Sequence, residues 1–151
     1  MTRRTFRAAV AVYGMLRDGR RLLLMRRAGT GYRDGLLSLP AGHLDGGEDA
    51  VSGLVRELRE ELGIEADPHA CDLALLMHSA AEDADDAEYL NLFFVVGRWT
   101  GEPRIAEPDK CSELRWVDDR ELPADVVDEV REALAAIGRG ERLALHGWPV
   151  R

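Results

Sequence analysis

Apolar and polar positions along the chain fall into short blocks with different periods. Phe6 to Leu16 is largely apolar, with β-branched and aromatic residues, and Arg17-Asp18-Gly19-Arg20 then supplies turn chemistry. Arg21 to Arg27 resumes with Leu22, Leu23, Leu24 and Met25, so the two runs predict a β-hairpin. Ala28 to Gly35 reads as a loop, and Leu36 to Leu39 as a short strand stopped by Pro40. Cys71 to Met77 and Tyr89 to Trp99 are two further strands, Arg104 to Lys110 is a proline-containing loop, and Leu114 to Val117 is another short strand.

Two segments switch to the helical period. After Gly46-Gly47, Glu48-Asp49 place negative charge where a helix begins, and Val51, Leu54, Val55, Leu58 and Leu62 then form one apolar stripe before Gly63. The second helix is expected to start near Pro123, with Val126, Val127, Val130, Leu134 and Ile137 on one face, and to end at Gly138. Strands, helix, strands, helix is the order of an α/β or α+β fold with a mixed sheet sandwiched between helices, in one domain spanning 1–151. No internal repeat or linker interrupts it.

Charge narrows the choice of partner. Asp and Glu outnumber Lys and Arg 28 to 20, a formal net charge of -8, which is the wrong sign for gripping a polynucleotide backbone. Acidity does not exclude a small phosphorylated ligand, because a cation held by carboxylates inverts the local field. The run Glu82 to Glu88 is too acidic and too small in its side chains for a core. Cys71 and Cys111 lack metal-site spacing and read as free thiols in a reducing, cytoplasmic compartment. The basic stretch Met1 to Arg7 precedes an apolar run too short for a membrane span.

The charged face of the first helix carries the candidate chemistry. At 100° per residue Glu57, Glu60 and Glu61 fall within about a 100° arc, with Gly53 a turn below. Like charges packed this closely repel by a few tenths of a kcal/mol per pair at a surface, and by more when desolvated. Either arginine or a metal must sit among them. Oxygen-only ligands select a hard ion, Mg²⁺ or Mn²⁺, that keeps positions open for water and phosphate.

The spacing around that helix is specific. Gly42, Glu48, Arg56-Glu57-Leu58, Glu60-Glu61, Gly63 and Ile64 match every fixed position of G-x5-E-x7-R-E-U-x-E-E-x-G-U, U being a bulky aliphatic residue. The chain therefore resembles the Nudix hydrolase superfamily over residues 42–64. Weaker likeness extends to Leu39-Pro40-Ala41-Gly42-His43, Glu107-Pro108-Asp109-Lys110 and Arg115-Trp116-Val117. The resemblance implies an α/β/α sandwich, a nucleoside diphosphate linked to another moiety as substrate, and Mg²⁺ or Mn²⁺ as cofactor. It implies that Glu57, Glu60 and Glu61 ligate the ion, with the Ala41 carbonyl as a backbone ligand and Glu57 or Glu60 as the base. Arg56 is expected to orient these carboxylates with Glu48 as partner, and Gly42 to permit a sharp turn. Glu107 and Glu113 are candidates for a further ligand or base. Arg26, Arg27 and Arg33 are candidates for substrate phosphates, and His43 for a loop position beside the site. Tyr89, Phe93, Phe94 and Trp116 are available for stacking on a base but fit a core equally well, and His78 reads as structural.

Substrate type follows only by elimination. Ser79 and Ala80 stand where ADP-ribose-cleaving members tend to carry proline, and Tyr89 is too distant to be the tyrosine of the dinucleoside-polyphosphate type. No NADH-type signature occurs, and Leu22 to Ala28 bears only a faint likeness to the coenzyme A pattern. The chain is thus most similar to MutT-type nucleoside triphosphate pyrophosphatases, with ADP-ribose or a nucleotide sugar as the alternative. A non-catalytic nucleotide-binding module is the reading from another class, and the presence of every box carboxylate weighs against it. A monomer or homodimer without polynucleotide or membrane partner is expected.

Overall fold

A computed structural model describes residues 3–150; Met1, Thr2 and Arg151, the ends of the basic stretch and of the expected domain, lie outside the described residues. The elements in chain order are β1 (Ala9–Met15), β2 (Arg17–Asp18), β3 (Arg21–Arg27), β4 (Leu37–Ser38), β5 (Ala41–His43), α1 (Ala50–Leu62) and β6 (Glu65–Ala66). A 3-10 turn at Pro68–Ala70 leads into β7 (Cys71–Ser79), β8 (Tyr89–Val96), β9 (Trp99–Thr100), β10 (Cys111–Asp118), α2 (Asp128–Gly138) and β11 (Leu143–His146). A five-stranded mixed sheet runs β11-β7-β8-β1-β5, a second sheet β10-β3-β2 has β4 attached to β3, and β6 pairs with β9. The α+β class expected from the sequence is the class observed. No helix among the described residues is long and apolar enough to cross a membrane.

The expected hairpin between the first two apolar runs does not form. β1 pairs with β5 and β8, and the chain crosses to the second sheet at Leu16, leaving only a minimal hairpin of Arg17–Asp18 against Arg21–Leu22. The cause is visible in β3. Leu22 and Leu24 enter the apolar cluster that includes Val130 and Ala133 of α2, while Leu23 and Met25 enter the one that includes Leu54, Leu58 and Leu62 of α1. A strand buried on both faces needs apolar residues at every position. Such a run carries no alternation to reveal which partner it takes.

The two helices use their stripes unequally. In α1 the buried centre is Leu54, Leu58 and Leu62, with Val51 and Val55 only partly covered. The Asp49 side chain caps the first turn by accepting from the Ser52 N–H, and Gly63 closes the last with φ 67°, its N–H reaching the Arg59 carbonyl. α2 begins at Asp128, five residues after the expected proline start. Residues 125–127 stay out of the helix because Leu37 N–H bonds to the Asp125 carbonyl and Val127 N–H to the Leu37 carbonyl, bridging Val126 to Leu37. Pro123 therefore lies in a connection, not at a helix N-terminus. β6, β9 and β11 are strands that the apolar pattern did not mark.

Gly53 is the seat of α1. A Cβ there would stand 2.3 Å from Leu44 Cδ2 and 3.2 Å from Glu48 Oε1. Helix propensity alone makes Gly53→Ala stabilising by about 1 kcal/mol. The contact with Leu44 reverses that sign, and a loss of about 1–3 kcal/mol is expected. Urea unfolding checks it: a midpoint at or above that of the parent protein would show that the helix does not need this glycine.

Candidate active site

Where a sharp turn at Gly42 and a loop at His43 were expected the chain forms β5, with Ala41, Gly42 and His43 paired to Tyr13, Val12 and Ala11. His43 is accordingly a strand residue, and Gly42 makes no sharp turn. What Gly42 supplies is absence of bulk, since a Cβ on it would lie 2.0 Å from Cδ of Glu57. The Glu57 carboxyl rests directly on the β5 backbone.

Arg56 organises the face above it. Its Nε donates to Glu48 Oε2 at 3.0 Å and its Nη2 to Glu48 Oε1 at 2.7 Å, a bidentate pair, while Nη1 donates to Glu57 Oε1 at 2.9 Å and Glu60 Oε2 at 3.3 Å. Nη2 also reaches the His43 carbonyl at 3.3 Å, so one guanidinium joins helix, preceding loop and strand. The arginine holds Glu48 below the usual carboxylate range, and the carboxylates raise Arg56 further. Glu57 is nevertheless pushed up, because burial outweighs the stabilising Arg56 and adds to repulsion from Glu60 and Glu107.

Glu61 lies a turn further on, beyond the reach of Arg56. Its Oε2 accepts from the Ala41 N–H at 3.2 Å, and burial together with Glu57 and Glu107 pushes its pKa to about 8. Glu107 arrives from the loop that follows β9. Arg104 N–H bonds to the Leu62 carbonyl and Ala106 N–H to the Glu61 carbonyl, satisfying backbone oxygens left open at the end of α1. That loop thereby delivers Glu107 beside the box, with Lys110 Nζ 3.4 Å from its carboxylate.

These groups occupy one part of the wall of a single cavity of about 1020 Å³ whose lining includes Ala41, His43, Glu57, Glu60, Glu61 and Glu107. Arg27 and Lys110 line it as well, as do Tyr13, Tyr32 and Tyr89. Among the sequence candidates, Arg26 and Glu113 are not brought there. Successive strand side chains point to opposite faces, so only one of Arg26 and Arg27 faces the cavity. Arg26 instead pairs with Glu113 at 2.8 Å and Asp125 at 2.7 Å, and Glu113 also takes Arg115. Phe93 is core, stacked on Tyr13 at 4.4 Å, and Phe94 is buried against α1, whereas Tyr89 lines the cavity with its ring 5.4 Å from His43. His78 lies outside, its carbonyl accepting from Trp148 Nε1 at 2.9 Å. The sequence reading missed Tyr32, Glu129 and His146, which lie outside the box and are recognisable through the cavity they share.

The donor set suits a hard cation. Four carboxylates share one wall, and Glu61 has no arginine hydrogen-bonded to it, so a divalent ion would relieve charge that the protein leaves unbalanced. No trio of Asp, Glu, His or Cys among the described residues already converges as a closed cage.

Burying Glu61 has a cost that can be read from pH. With its pKa raised from the unfolded carboxylate range to about 8, the folded state binds more protons in between, so stability is lost as pH rises from about 4.5 to about 8. Glu61→Gln removes that loss. In EDTA at pH 9 the variant should be more stable than the parent protein by up to about 5 kcal/mol, the gap closing near pH 4. Equal stability at pH 9 would contradict a strained Glu61. Gly42→Ala is expected to displace Glu57 and, unlike Glu61→Gln, to destabilise at every pH, as thermal melts across the same range would show.

Comparison with known proteins accords with this geometry. The chain is 30% identical over 108 residues to an isopentenyl-diphosphate Delta-isomerase 2 of Aromatoleum aromaticum, covering 70% of this chain and 56% of that protein. It is 29% identical over 94 residues to an 8-oxo-dGTP diphosphatase of Escherichia coli, covering 62% and 69% respectively. It is 28% identical over 115 residues to an ADP-ribose pyrophosphatase of Methanocaldococcus jannaschii, covering 76% and 64%. The chain thus spans little more than half of the isomerase and about two thirds of the other two. Among solved structures, a MutT NUDIX hydrolase from Burkholderia pseudomallei superposes with a TM-score of 0.77 at 26% identity, covering 86% of this chain and 98% of that one. The model of the NUDIX domain matches residues 5–137, and with the box carboxylates gathered on one cavity wall, the chain belongs to the NUDIX domain family.

Proposed function

We propose that this protein hydrolyses a phosphoric anhydride bond in a nucleoside diphosphate linked to another moiety, with a (d)NTP or modified nucleotide as its main substrate. The observation that carries the proposal is the meeting, in one cavity, of Glu57, Glu60, Glu61 and Glu107 with the cations Arg27 and Lys110 and with tyrosine rings. Carboxylates without a cation would repel a polyphosphate, and cations without carboxylates would bind it without turnover. The free, buried Cys71 and Cys111 suit a reducing cytoplasm.

Mg²⁺ or Mn²⁺, held by Glu57, Glu60 and Glu61 with the Ala41 carbonyl and Glu107 at hand, would supply neutralisation of the bridging phosphate oxygens. The protein's own groups do the rest. Arg56 fixes Glu57 through a charge-assisted hydrogen bond and leaves one carboxylate oxygen of the pair Glu57 and Glu60 to take a proton from the attacking water. The water oxygen bonds to phosphorus, the bridging P–O bond breaks, and the departing phosphate leaves with the electron pair. Arg27 and Lys110 stand where they can steady the phosphate chain.

The alternative substrate, ADP-ribose or a nucleotide sugar, is favoured by the size of the cavity, which at about 1020 Å³ has room for a group beyond one nucleoside and its phosphates. The resemblance to an ADP-ribose pyrophosphatase points the same way. Phosphate and pyrophosphate release, measured with Mg²⁺ over (d)NTPs, ADP-ribose and dinucleoside polyphosphates, separates these readings. Turnover of at least one nucleotide is expected, and Glu57→Gln or Glu61→Gln should lower kcat by 10²-fold or more. Tight nucleotide binding without any turnover would instead make the protein a ligand sensor.

A further inference from the structure

Away from the box carboxylates, the cavity is bounded by a cluster that the proposed hydrolysis does not use. Arg33 sits in the loop between β3 and β4 with φ 55°, a left-handed backbone conformation that costs a non-glycine residue on the order of 1 kcal/mol. Gly31 and Gly35 on either side take positive φ freely, so the loop does not lack glycines; it spends the strained position on an arginine. The guanidinium lies over the Tyr32 ring, 4.9 Å from its centroid. Its Nη2 bonds to Glu82 from the acidic segment and lies 3.4 Å from Glu129 Oε1 of α2. Glu129 is in turn 3.4 Å from Nε2 of His146, whose Nδ1 meets Glu132 at 2.6 Å.

Two details say what this cluster is for. Arg33 Nε is buried and has no hydrogen-bond partner, and among the described residues it is the one such side-chain atom. A buried donor without a protein acceptor costs about 1–3 kcal/mol, so the fold holds Arg33 against the cavity at a loss of stability. Glu82 and Glu129 flank that arginine, and their charge repels a phosphate at this place. An uncharged acceptor suits this place better than a phosphate. Nearby on the same wall, the buried Asn91 donates its amide to Ser79 Oγ at 2.9 Å, which adds neutral polar lining, and Tyr32 adds an aromatic face.

We infer that Arg33 and Glu129 read the nucleobase, Arg33 donating to a carbonyl or ring nitrogen and Glu129 accepting from an adjacent N–H, with Tyr32 against the base plane. This rests on the nucleotide reading given above and deepens it, because it assigns Arg33 to the uncharged half of the substrate instead of to its phosphates. It also separates this chain's ligand from a base-free organic diphosphate such as the substrate named for the isomerase relative.

The test removes both metal and catalysis from the measurement. Saturation-transfer NMR in EDTA with the four deoxynucleosides should show base protons in contact with the parent protein, and Arg33→Met or Glu129→Gln should remove at least four fifths of that signal while melting curves stay cooperative. In steady-state assays with Mg²⁺, the same variants should raise KM for the preferred nucleotide 10-fold or more while leaving kcat within about 3-fold. The turnover of the matching base-free deoxyribose 5′-triphosphate should stay unchanged. Equal losses on the nucleotide and the base-free compound, or nucleoside contacts that survive both substitutions, would overturn the assignment. Nucleoside binding lost in the variants with no hydrolysis by the parent protein would leave the assignment standing and refute the hydrolase. Hydrolysis without any nucleoside contact would do the reverse.

Discussion

The guanidinium of Arg56 holds Glu48 along one edge and Glu57 along another, with Glu60 and the His43 carbonyl on its remaining hydrogens. Remove it, and an acidic loop, an acidic helix face and the backbone of β5 lose the one cation that they share. Part of the geometry is then imposed by volume. Gly42 admits the Glu57 carboxyl and Gly53 admits Leu44, so the helix can descend onto the strand while its charges remain anchored from above. Arg56 does not extend this compensation to Glu61, which is held by a single backbone N–H and crowded by Glu57 and Glu107. The face is thus stabilised at one end and destabilised at the other, the pattern expected where a protein keeps charge ready for a cation.

How far this could be read in advance depends on distance along the chain. The box was legible because its residues lie within one short strand, one short loop and the helix that follows, where spacing fixes direction. The helix ends were legible at Asp49 and Gly63 for the same reason. Glu107 could be named only as a candidate, because its approach depends on the Arg104 and Ala106 N–H groups finding carbonyls at the end of α1. Arg26 and Glu113 were named with equal reason and turned out to neutralise each other outside the cavity. Strand alternation could have separated Arg26 from Arg27, had the partner of β3 been known.

The larger topological surprise has a similar origin. Leu22 to Met25 look like half of a hairpin with the preceding apolar run, yet they divide their side chains between two clusters and belong to another sheet. An unbroken apolar run marks double burial but not the neighbours that produce it. The extended stretch before α2 went unseen because its hydrogen bonds run to Leu37, far away in sequence.

Besides the central strands β1, β3 and β8, the cavity is lined by two groups of segments with little covalent overlap. One comprises β5, α1 and the loop after β9; the other comprises the Tyr32–Arg33 loop, the acidic segment 82–88, the first turn of α2 and the end of β11. Mutations in the second group can accumulate without disturbing the ion pairs of the first. A gene duplicate could in this way inherit the carboxylate face intact and acquire a different ligand by altering a few residues of the second group. The division of labour along the chain makes such drift accessible through single substitutions.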